Sequence, residues 1–330
     1  RLAGVNSILS VILPAAMPVI AHPLAAKEAA VRTRLLALGY SEAISSTFAS
    51  EADGEAFFAA RAAAHGGVVA MENPLSEEAR LLRPSLVPGM VGMLGHNLNR
   101  DVRDVRLFEQ GAVFSGSAEA VMESAGLALG LTGAIPGAPP YTGEAPAFFE
   151  LKGVVESLLS LFDAGGAEVT FTSEAPAWLE AGRCAPALLG GMPIASFGEL
   201  AVVQREARKL RQPVFVAEID LAALYAPGLR RATVRELSRF QAVERDFSFV
   251  FPDTVQWRMI AEAIESLGIA GLQSLKPVEV WRDAKKFPGV YSMLVRTVFQ
   301  SADHTLREDE LTEWAAKVVA ALTGLGGAMR

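Results

Sequence analysis

The order of strand-like and helix-like patterns between residues 238 and 330 constrains the fold of this chain more than any other feature of its sequence. Strand-like runs at 243–251, 272–281 and 291–300 and a short terminal run are separated by two helical patterns. The resulting order, strand, helix, strand, strand, helix, strand, is that of the split βαβ or ferredoxin-like arrangement. The sequence therefore predicts a small α+β domain of this topology at residues 238–330.

Local signals in this segment predict where its two helices begin. Asp253 and Thr254 are suited to cap a first helix that runs to about Leu267, and Gly268 is suited to end it. Thr305 is placed to cap the second helix, whose first turn is acidic, as the helix dipole favours. Each helix therefore has a start signal of its own.

The first two-thirds of the chain mixes helical and extended patterns. A helical pattern from about Ala25 to Leu38 is ended by Gly39, and the run 40–50 is strand-like. Residues 101–114 have the pattern of paired strands. Two more strands meet at the hairpin signal Gly190-Gly191.

One predicted helix in this region carries a row of apolar side chains. Ser85 is a plausible cap for it, and the row consists of Leu86, Met90, Met93, Leu94 and Leu98. Two interpretations of Met90, Met93 and Leu94 stay open. They are core residues, or they contact another subunit, a role that the flexible methionine side chain suits.

Length and composition fit folded domains. The chain has 330 residues, of which 51% are hydrophobic and 20% charged, a balance typical of globular proteins. No uncharged apolar run reaches the roughly 20 residues of a membrane-spanning helix. The apolar stretch Ser7–Ala21 contains Pro14 and Pro18 and has no basic leader, so we expect an extended segment rather than a signal peptide. Because the chain begins with Arg1 and not Met, we expect a piece of a longer protein.

Cysteine and histidine usage argues against a metal site. Cys184 is the only cysteine, so we expect no disulfide, no cysteine-based zinc site and a reducing cytoplasmic location. Cys184 is more simply a small buried hydrophobe than a nucleophile. The four histidines lack metal-ligand spacing: His22, His65, His96 and His304.

Charge is unevenly distributed along the chain. The net charge is −7, whereas nucleic-acid-binding proteins usually carry a basic excess. Basic residues nevertheless gather before the last domain and in one of its loops: Arg230, Arg231, Arg235, Arg239, Lys285 and Lys286. A solubilising linker and a local patch that faces phosphates are both consistent with this pattern.

Two stretches of the last domain carry a family resemblance. SRFQAVERDFSFVF at 238–251 and YSMLVRTVFQSADHTLREDEL at 291–311 resemble the anticodon-binding domain at the carboxyl end of the bacterial phenylalanyl-tRNA synthetase beta subunit. The string from NPLSEEARLLRPSLVPGM through NLNR to VRLFEQGAVF resembles the same subunit's synthetase-like domain. The resemblance implies an α+β chain in four parts: the end of a preceding domain at 1–23, a class II synthetase-like antiparallel sheet domain at 24–225, a linker at 226–237 and a ferredoxin-fold anticodon-binding domain at 238–330.

Residues that activate an amino acid in catalytic class II synthetases are missing. Those enzymes place an arginine after the aromatic residue of a Gly-x-Val-aromatic run, and another after a glycine-rich strand, where cations hold phosphates. Here the run ends at Phe114, and Ser115 follows it. No G-x-G-x-E-R string occurs. The resemblance therefore implies a silent domain with no catalytic residue and no cofactor of its own, while the alpha subunit binds ATP, Mg²⁺ and phenylalanine and the editing domain lies upstream.

Candidate RNA contacts are aromatic and basic residues of the last domain: Arg239, Phe240, Arg245, Trp281, Arg282, Lys285, Lys286 and Arg296. Proteins read unpaired bases by stacking them on aromatic or guanidinium planes and fix phosphates with basic side chains. Core packing is the alternative for each aromatic. The family's Phe-Pro-Ala-Val-Arg-Arg-Asp is here interrupted, because Gln241 replaces the proline and Glu244 replaces one arginine. The following pair, Arg245-Asp246, is also interpretable as a structural ion pair.

The resemblance implies the non-catalytic beta-subunit part of phenylalanine–tRNA ligase. Its expected partners are the alpha subunit, in an α2β2 tetramer, and the anticodon stem-loop of tRNA(Phe), with no membrane and no DNA. Two alternatives remain: a free-standing enzyme with a class II core, which the missing arginines disfavour, and a protein-interaction scaffold with little or no RNA affinity, which the acidic net charge and Glu244 favour.

Overall fold

The computed structural model describes residues 20, 22–64, 66–134, 146–172, 174, 176–234, 236–283 and 285–330. The chain divides into two compact units after Ala232, within the predicted linker 226–237. The predicted extended segment Ser7–Ala21, apart from Ile20, lies outside the described residues, as does most of the predicted end of a preceding domain at 1–23. Arg235 and His65 also lie outside them.

The first unit contains six α-helices, one 3₁₀ helix at Glu77–Ala79 and eleven strands among its described residues. The helices are α1 (Ala25–Ala37), α2 (Glu51–Ala64), α3 (Val87–Leu98), α4 (Pro146–Leu159), α5 (Val202–Ala207) and α6 (Leu221–Tyr225). The strands are β1 (Ser41–Glu42), β2 (Phe48–Ala49), β3 (Leu81–Leu82), β4 (Val105–Gly116), β5 (Val121–Thr132), β6 (Phe162–Asp163), β7 (Val169–Phe171), β8 (Leu179–Leu189), β9 (Met192–Leu200), β10 (Val214–Asp220) and β11 (Gly228–Leu229).

A seven-stranded sheet in the order β1-β4-β5-β10-β9-β8-β7 forms the frame of this unit. Its pairs are antiparallel except for β1 with β4, which is parallel. The strands alternate between two cores. Phe108, Leu129 and Phe197 pack with α1, α4 and α6 on one face, whereas Ala128 and Val216 pack with α3 on the other. The sheet is therefore covered on both faces.

Several boundaries differ from those that the sequence predicts. Residues 101–114 are not paired strands, because β4 is a single strand whose partner is β5. The predicted strand at 40–50 is interrupted and forms two short strands, β1 and β2. β1 pairs with β4 over two residues, and β2 pairs with β3 over two residues. The predicted hairpin at Gly190-Gly191 is confirmed, with φ angles of +56° and +82° that suit glycine. The N-cap of α3 is Leu86 and not the predicted Ser85, although the Ser85 hydroxyl accepts a hydrogen bond from the Val87 N–H at 3.0 Å.

The second unit confirms the predicted ferredoxin-like topology. Its elements are β12 (Val243–Pro252), α7 (Trp257–Glu265), β13 (Leu272–Trp281), β14 (Val290–Phe299), α8 (Glu308–Gly324) and β15 (Ala328–Met329). The sheet is antiparallel in the order β13-β14-β12-β15. Both helices pack on one face, where Phe249, Val295 and Phe299 meet Ile260 and Val318.

The predicted helix caps of this unit are wrong. α7 begins after Gln256, three residues beyond Asp253, whose carboxylate instead pairs with Arg282 at 3.0 Å. α8 begins after Arg307, not Thr305; the Glu310 carboxylate accepts the Arg307 N–H at 2.9 Å. The Glu310 carboxylate therefore caps the start of α8, where the sequence predicted a cap by the Thr305 hydroxyl.

None of the helices in the described ranges combines the length and the apolar character needed to cross a membrane.

Gly130 allows α3 to lie close to the sheet, and its substitution is a test of this packing. A Cβ at Gly130 would lie 2.7 Å from Met90 Cγ and 2.9 Å from Leu94 Cδ1. We expect Gly130→Val to lower the free energy of unfolding by about 1–3 kcal/mol, measured by urea denaturation, because overpacking forces strained rotamers. Gly153→Ala in α4, where nothing lies within 4 Å, is the control and should raise it by up to about 1 kcal/mol. An unchanged midpoint for Gly130→Val would contradict the close approach.

Candidate nucleic-acid interface

The face of the second unit's sheet that carries no helix holds a shallow cavity of about 410 Å³. Its walls come from three strands, β12, β13 and β14, and from the residue that follows β15: Ser248, Glu279, Trp281, Ser292, Leu294 and Arg330. The strand register explains the grouping, because Trp281 lies opposite Ser292 on β14, while Glu279, Leu294 and Ser248 form the adjacent row. Two small serines between longer side chains leave a depression in an otherwise flat sheet.

Trp281 stands at one side of this cavity with 42% of its surface exposed. Phe287, from the loop that joins β13 to β14, contacts it edge-on at 5.9 Å between ring centroids. The guanidinium of Arg330 lies over the other wall, 6.0 Å from the Trp281 ring centroid. An exposed aromatic ring that is held by its neighbours is the kind of surface on which an unpaired base stacks.

The loop beside Trp281 presents two lysines. The Asp283 carboxylate accepts the backbone N–H groups of Lys285 at 3.2 Å and Lys286 at 3.1 Å, which fixes the loop. Both lysine side chains are exposed, and Lys286 has only a long contact of 3.9 Å with Asp283. Both lysines can therefore bind phosphates without first breaking a short ion pair.

Three of the predicted arginines already have carboxylate partners. Arg245 pairs with Glu308 at 3.3 Å, and Arg282 pairs with Asp253 at 3.0 Å. Arg296 donates two hydrogen bonds of 2.7 Å to Asp246 and approaches Glu244 at 3.0 Å. These bonds from Arg296 hold the pKa of the Asp246 carboxyl below its usual value. The substitution that places Glu244 here therefore adds a second anion to Arg296, and this arginine is poorly available to RNA.

Arg239 and Phe240 lie at the other end of the sheet. Phe240 is half-buried, and its carbonyl accepts a hydrogen bond from the Gln300 amide at 2.7 Å. Arg239 is exposed and lies 3.7 Å from Glu236. Because Gln300 and Ser292 are eight positions apart along β14, roughly 25 Å separates these residues from Trp281. The eight predicted contacts thus divide, and only Trp281, Arg282, Lys285 and Lys286 gather at one place.

Five residues of the cavity were not among the predicted contacts: Ser248, Glu279, Ser292, Leu294 and Arg330. The alternation of Ser248 between Phe247 and Phe249 was a signal that could have found the first, since one side of a half-buried strand faces away from the core. Arg330 gave no signal, because its approach to Trp281 depends on the pairing of β15 with β12.

Among the described residues, the cavity at Ser115, the position of the missing arginine, has an acidic lining. Ser115 lines a cavity of about 220 Å³ together with Glu123 and Asp220, and no basic residue is among the residues that line it. The nearby Arg83 is buried and already has partners. Its guanidinium lies 2.7 Å from the Glu109 carboxylate and donates a hydrogen bond of 2.9 Å to Ala112 O. Two carboxylates and no cation disfavour a triphosphate.

The predicted subunit contacts on α3 fall inside the fold. Met90 and Leu94 have 0% of their surface exposed and belong to the core of their own unit, so they offer no surface to a partner. Met93 is half-buried and packs against the same core. The core interpretation holds for the first two because Gly130 brings the sheet against them.

Cys184 and the histidines show no sign of a reactive or metal-binding role among the described residues. Cys184 is half-buried, and burial raises the pKa of its thiol, which disfavours the thiolate. His304 approaches Glu310 at 3.0 Å at the start of α8. No group of three potential ligands is close enough to hold a metal ion within the part of the chain that the structure describes.

Comparison with known proteins covers nearly the whole chain. Residues 9–221 match the model of the phenylalanyl tRNA synthetase beta chain CLM domain, and residues 238–330 match that of the ferredoxin-fold anticodon binding domain.

Among curated relatives, the phenylalanine–tRNA ligase beta subunit of Symbiobacterium thermophilum is 33% identical over 79% of this chain and 30% of its own length. The beta subunit of Xylella fastidiosa strain Temecula1 is 32% identical over 94% of this chain and 39% of its own. The chain thus spans about a third of the length of these relatives. With both of its units matched in order, the chain belongs to the phenylalanyl-tRNA synthetase beta-chain family.

Proposed function

We propose that this chain is the part of a phenylalanine–tRNA ligase beta subunit that binds the anticodon stem-loop of tRNA(Phe) and docks the catalytic alpha subunit. The cavity beside Trp281 supports the RNA-binding half of this proposal most directly. It combines an exposed aromatic ring with hydrogen-bonding groups and lies beside two exposed lysines, within a domain that matches an anticodon-binding family.

The chemistry of the cavity favours guanine. The Glu279 carboxylate has no ion pair or side-chain hydrogen bond among the described residues, and its two oxygens can accept two neighbouring N–H donors. Guanine alone of the four bases offers adjacent donors, at N1 and N2. The anticodon complementary to the phenylalanine codons is GAA, which contains one guanine, so a base stacked on Trp281 and read by Glu279 would be that one.

Docking of the alpha subunit is assigned to the surface around α1 and β1. Leu36, Leu38 and Ile44 are apolar and exposed within nine residues of chain. Exposed apolar groups of this kind mark interaction surfaces. A helix followed by a strand is also how class II synthetases build their dimer-forming first motif, and this supports an α2β2 assembly.

Catalysis is assigned to the alpha subunit, which would bind ATP, Mg²⁺ and phenylalanine in the cytoplasm, where charged tRNA is used. The cavity at Ser115 supports this assignment, because its two carboxylates and lack of a cation fit neither a triphosphate nor an adenylate. The paired state of Arg245, Arg282 and Arg296 favours a second candidate function, a protein-interaction scaffold without RNA affinity.

Binding to an anticodon stem-loop should depend on salt through Lys285 and Lys286. We expect the double change Lys285→Ala and Lys286→Ala to weaken binding and to reduce the slope of log K against log salt by about 2, since each phosphate contact contributes roughly one unit. Fluorescence anisotropy at several salt concentrations measures both. Lys317→Ala on α8, whose lysine pairs with Glu313, is the control. Absence of salt-dependent binding by the unaltered chain would favour the scaffold function.

Recognition of guanine should depend on Glu279. We expect the unaltered chain to bind a stem-loop with guanine about 10- to 100-fold more tightly than one with inosine, which lacks the N2 donor, since a hydrogen bond to a charged group contributes about 1.5–3 kcal/mol. Glu279→Gln should lose most of this preference. If Glu279→Gln binds RNA normally and prefers guanine over inosine as strongly as the unaltered chain does, Glu279 does not read the base.

Association with the alpha subunit should depend on the exposed apolar surface. We expect the two chains, when co-expressed, to form a hetero-oligomer by light scattering, and Ile44→Asp to weaken it because a charge would be buried at the interface. Val203→Asp on α5, also exposed, is the control.

ATP–pyrophosphate exchange should require the alpha subunit. Exchange by this chain alone would contradict the proposal that its synthetase-like domain is catalytically silent.

A further inference from the structure

Arg330 is held opposite Trp281 by the last strand of the sheet. β15 pairs with β12, and the Arg330 N–H continues the ladder by donating to Ser248 O at 2.9 Å. The side chain then extends over the small side chain of Ser248 and brings its guanidinium above the Trp281 ring. The backbone hydrogen bond fixes the base of the arginine, so the guanidinium can adjust without disturbing the sheet.

The separation between these two groups is wider than a direct contact requires. The guanidinium carbon lies 6.0 Å from the ring centroid, at the outer limit for a cation–π interaction. The other cation–ring pairs among the described residues are closer: Lys152 on Phe171 at 4.5 Å, Arg208 on Phe57 at 4.8 Å and Arg282 on Tyr291 at 4.9 Å. The gap between the Arg330 guanidinium carbon and its ring centroid is therefore wider than in the other three pairs.

The width of this gap is close to that of one flat base. Stacked bases lie about 3.4 Å apart, so a base between two planes needs about 6.8 Å. A movement of less than 1 Å by the guanidinium would supply the difference from 6.0 Å. Both groups are also suitable surfaces, because RNA bases stack on tryptophan and on arginine planes alike.

Arg330 has no other evident role in the unit. Its guanidinium has no carboxylate partner within ion-pair distance among the residues that the structure describes, and the side chain is exposed. This distinguishes it from Arg245, Arg282 and Arg296, which are all paired. A guanidinium that has no ion-pair partner in the described part of the chain and lies 6.0 Å from the centroid of an exposed tryptophan ring is available for a flat ligand.

We propose that Arg330 is the second wall of a base-binding slot and that one unpaired RNA base lies sandwiched between its guanidinium and the Trp281 ring. This proposal rests on the proposed RNA-binding function and adds to it a residue that acts through its planar shape. The alternative role of Arg330, a simple phosphate contact, needs charge but not planarity. Substitutions that separate these two properties therefore decide between the roles.

The test compares Arg330→Lys, which keeps the charge, with Arg330→Tyr, which keeps a plane. The affinity for an anticodon stem-loop is measured by anisotropy at several salt concentrations. The slot predicts that Arg330→Lys and Arg330→Ala weaken binding by about 5- to 100-fold, the usual effect of losing one stacking surface, whereas Arg330→Tyr binds within about threefold of the unaltered chain. Arg258→Lys on α7, whose arginine pairs with Glu262 on the helix-covered side, is the matched control.

The salt dependence gives a second, independent reading. A stacking surface leaves the slope of log K against log salt nearly unchanged in Arg330→Ala, whereas a lost phosphate contact lowers it by about one. Normal binding by Arg330→Lys together with weak binding by Arg330→Tyr and a reduced slope for Arg330→Ala would overturn the slot. If the unaltered chain does not bind the stem-loop at all, the proposed function is overturned instead, so the two failures are distinguishable.

Discussion

The packing of two helices against a single face of the second unit's sheet is the constraint on which its proposed function depends. In β12 and β14, large apolar residues such as Phe249 and Val295 alternate with smaller or polar ones such as Ser248 and Ser292. The hydrophobic effect places the first set under α7 and α8 and leaves the second set facing away. The same alternation that builds the core therefore creates an uncovered surface wide enough for RNA.

The first unit shows the opposite arrangement, since helices cover both faces of its sheet. α3 lies directly on β5 because Gly130 has no side chain, and the buried Arg83–Glu109 pair ties the segment before α3 to β4. Removing one partner of such a pair typically costs about 3–5 kcal/mol, because the other charge remains buried. The charge of Arg83 is thus used within the fold.

Sequence reasoning succeeded where the signal was local and repeated. The strands of the second unit and the hairpin at Gly190-Gly191 followed from alternation and turn chemistry. It failed at the helix caps of the second unit. Asp253 pairs with Arg282 instead of capping α7, and the Glu310 carboxylate, not Thr305, accepts the N–H at the start of α8. Met90 and Leu94 could not be assigned to core or surface, since their burial depends on a glycine forty residues away in sequence.

The candidate site was predictable in part for the same reason. Trp281 and the lysines after it stand out in the sequence as an aromatic residue beside a basic loop. Glu279 and Arg330 do not, because their place in the cavity is set by the register of β13 on β14 and by the pairing of β15 with β12. The charge of an arginine likewise says little until its partners are known, as the two carboxylates around Arg296 show.

The most direct test of the account is the NMR spectrum of the tryptophan indole N–H groups during titration with an anticodon stem-loop. The chain has four tryptophans, and Trp281 alone lies on the open face; Trp178 is in the first unit's core, and Trp257 and Trp314 pack on the helix side. The account predicts that the Trp281 signal, assigned by its loss in Trp281→Phe, shifts strongly while the other three stay in place. Shifts of Trp257 or Trp314 with Trp281 unmoved would show that RNA binds the helix-covered side and would contradict the account.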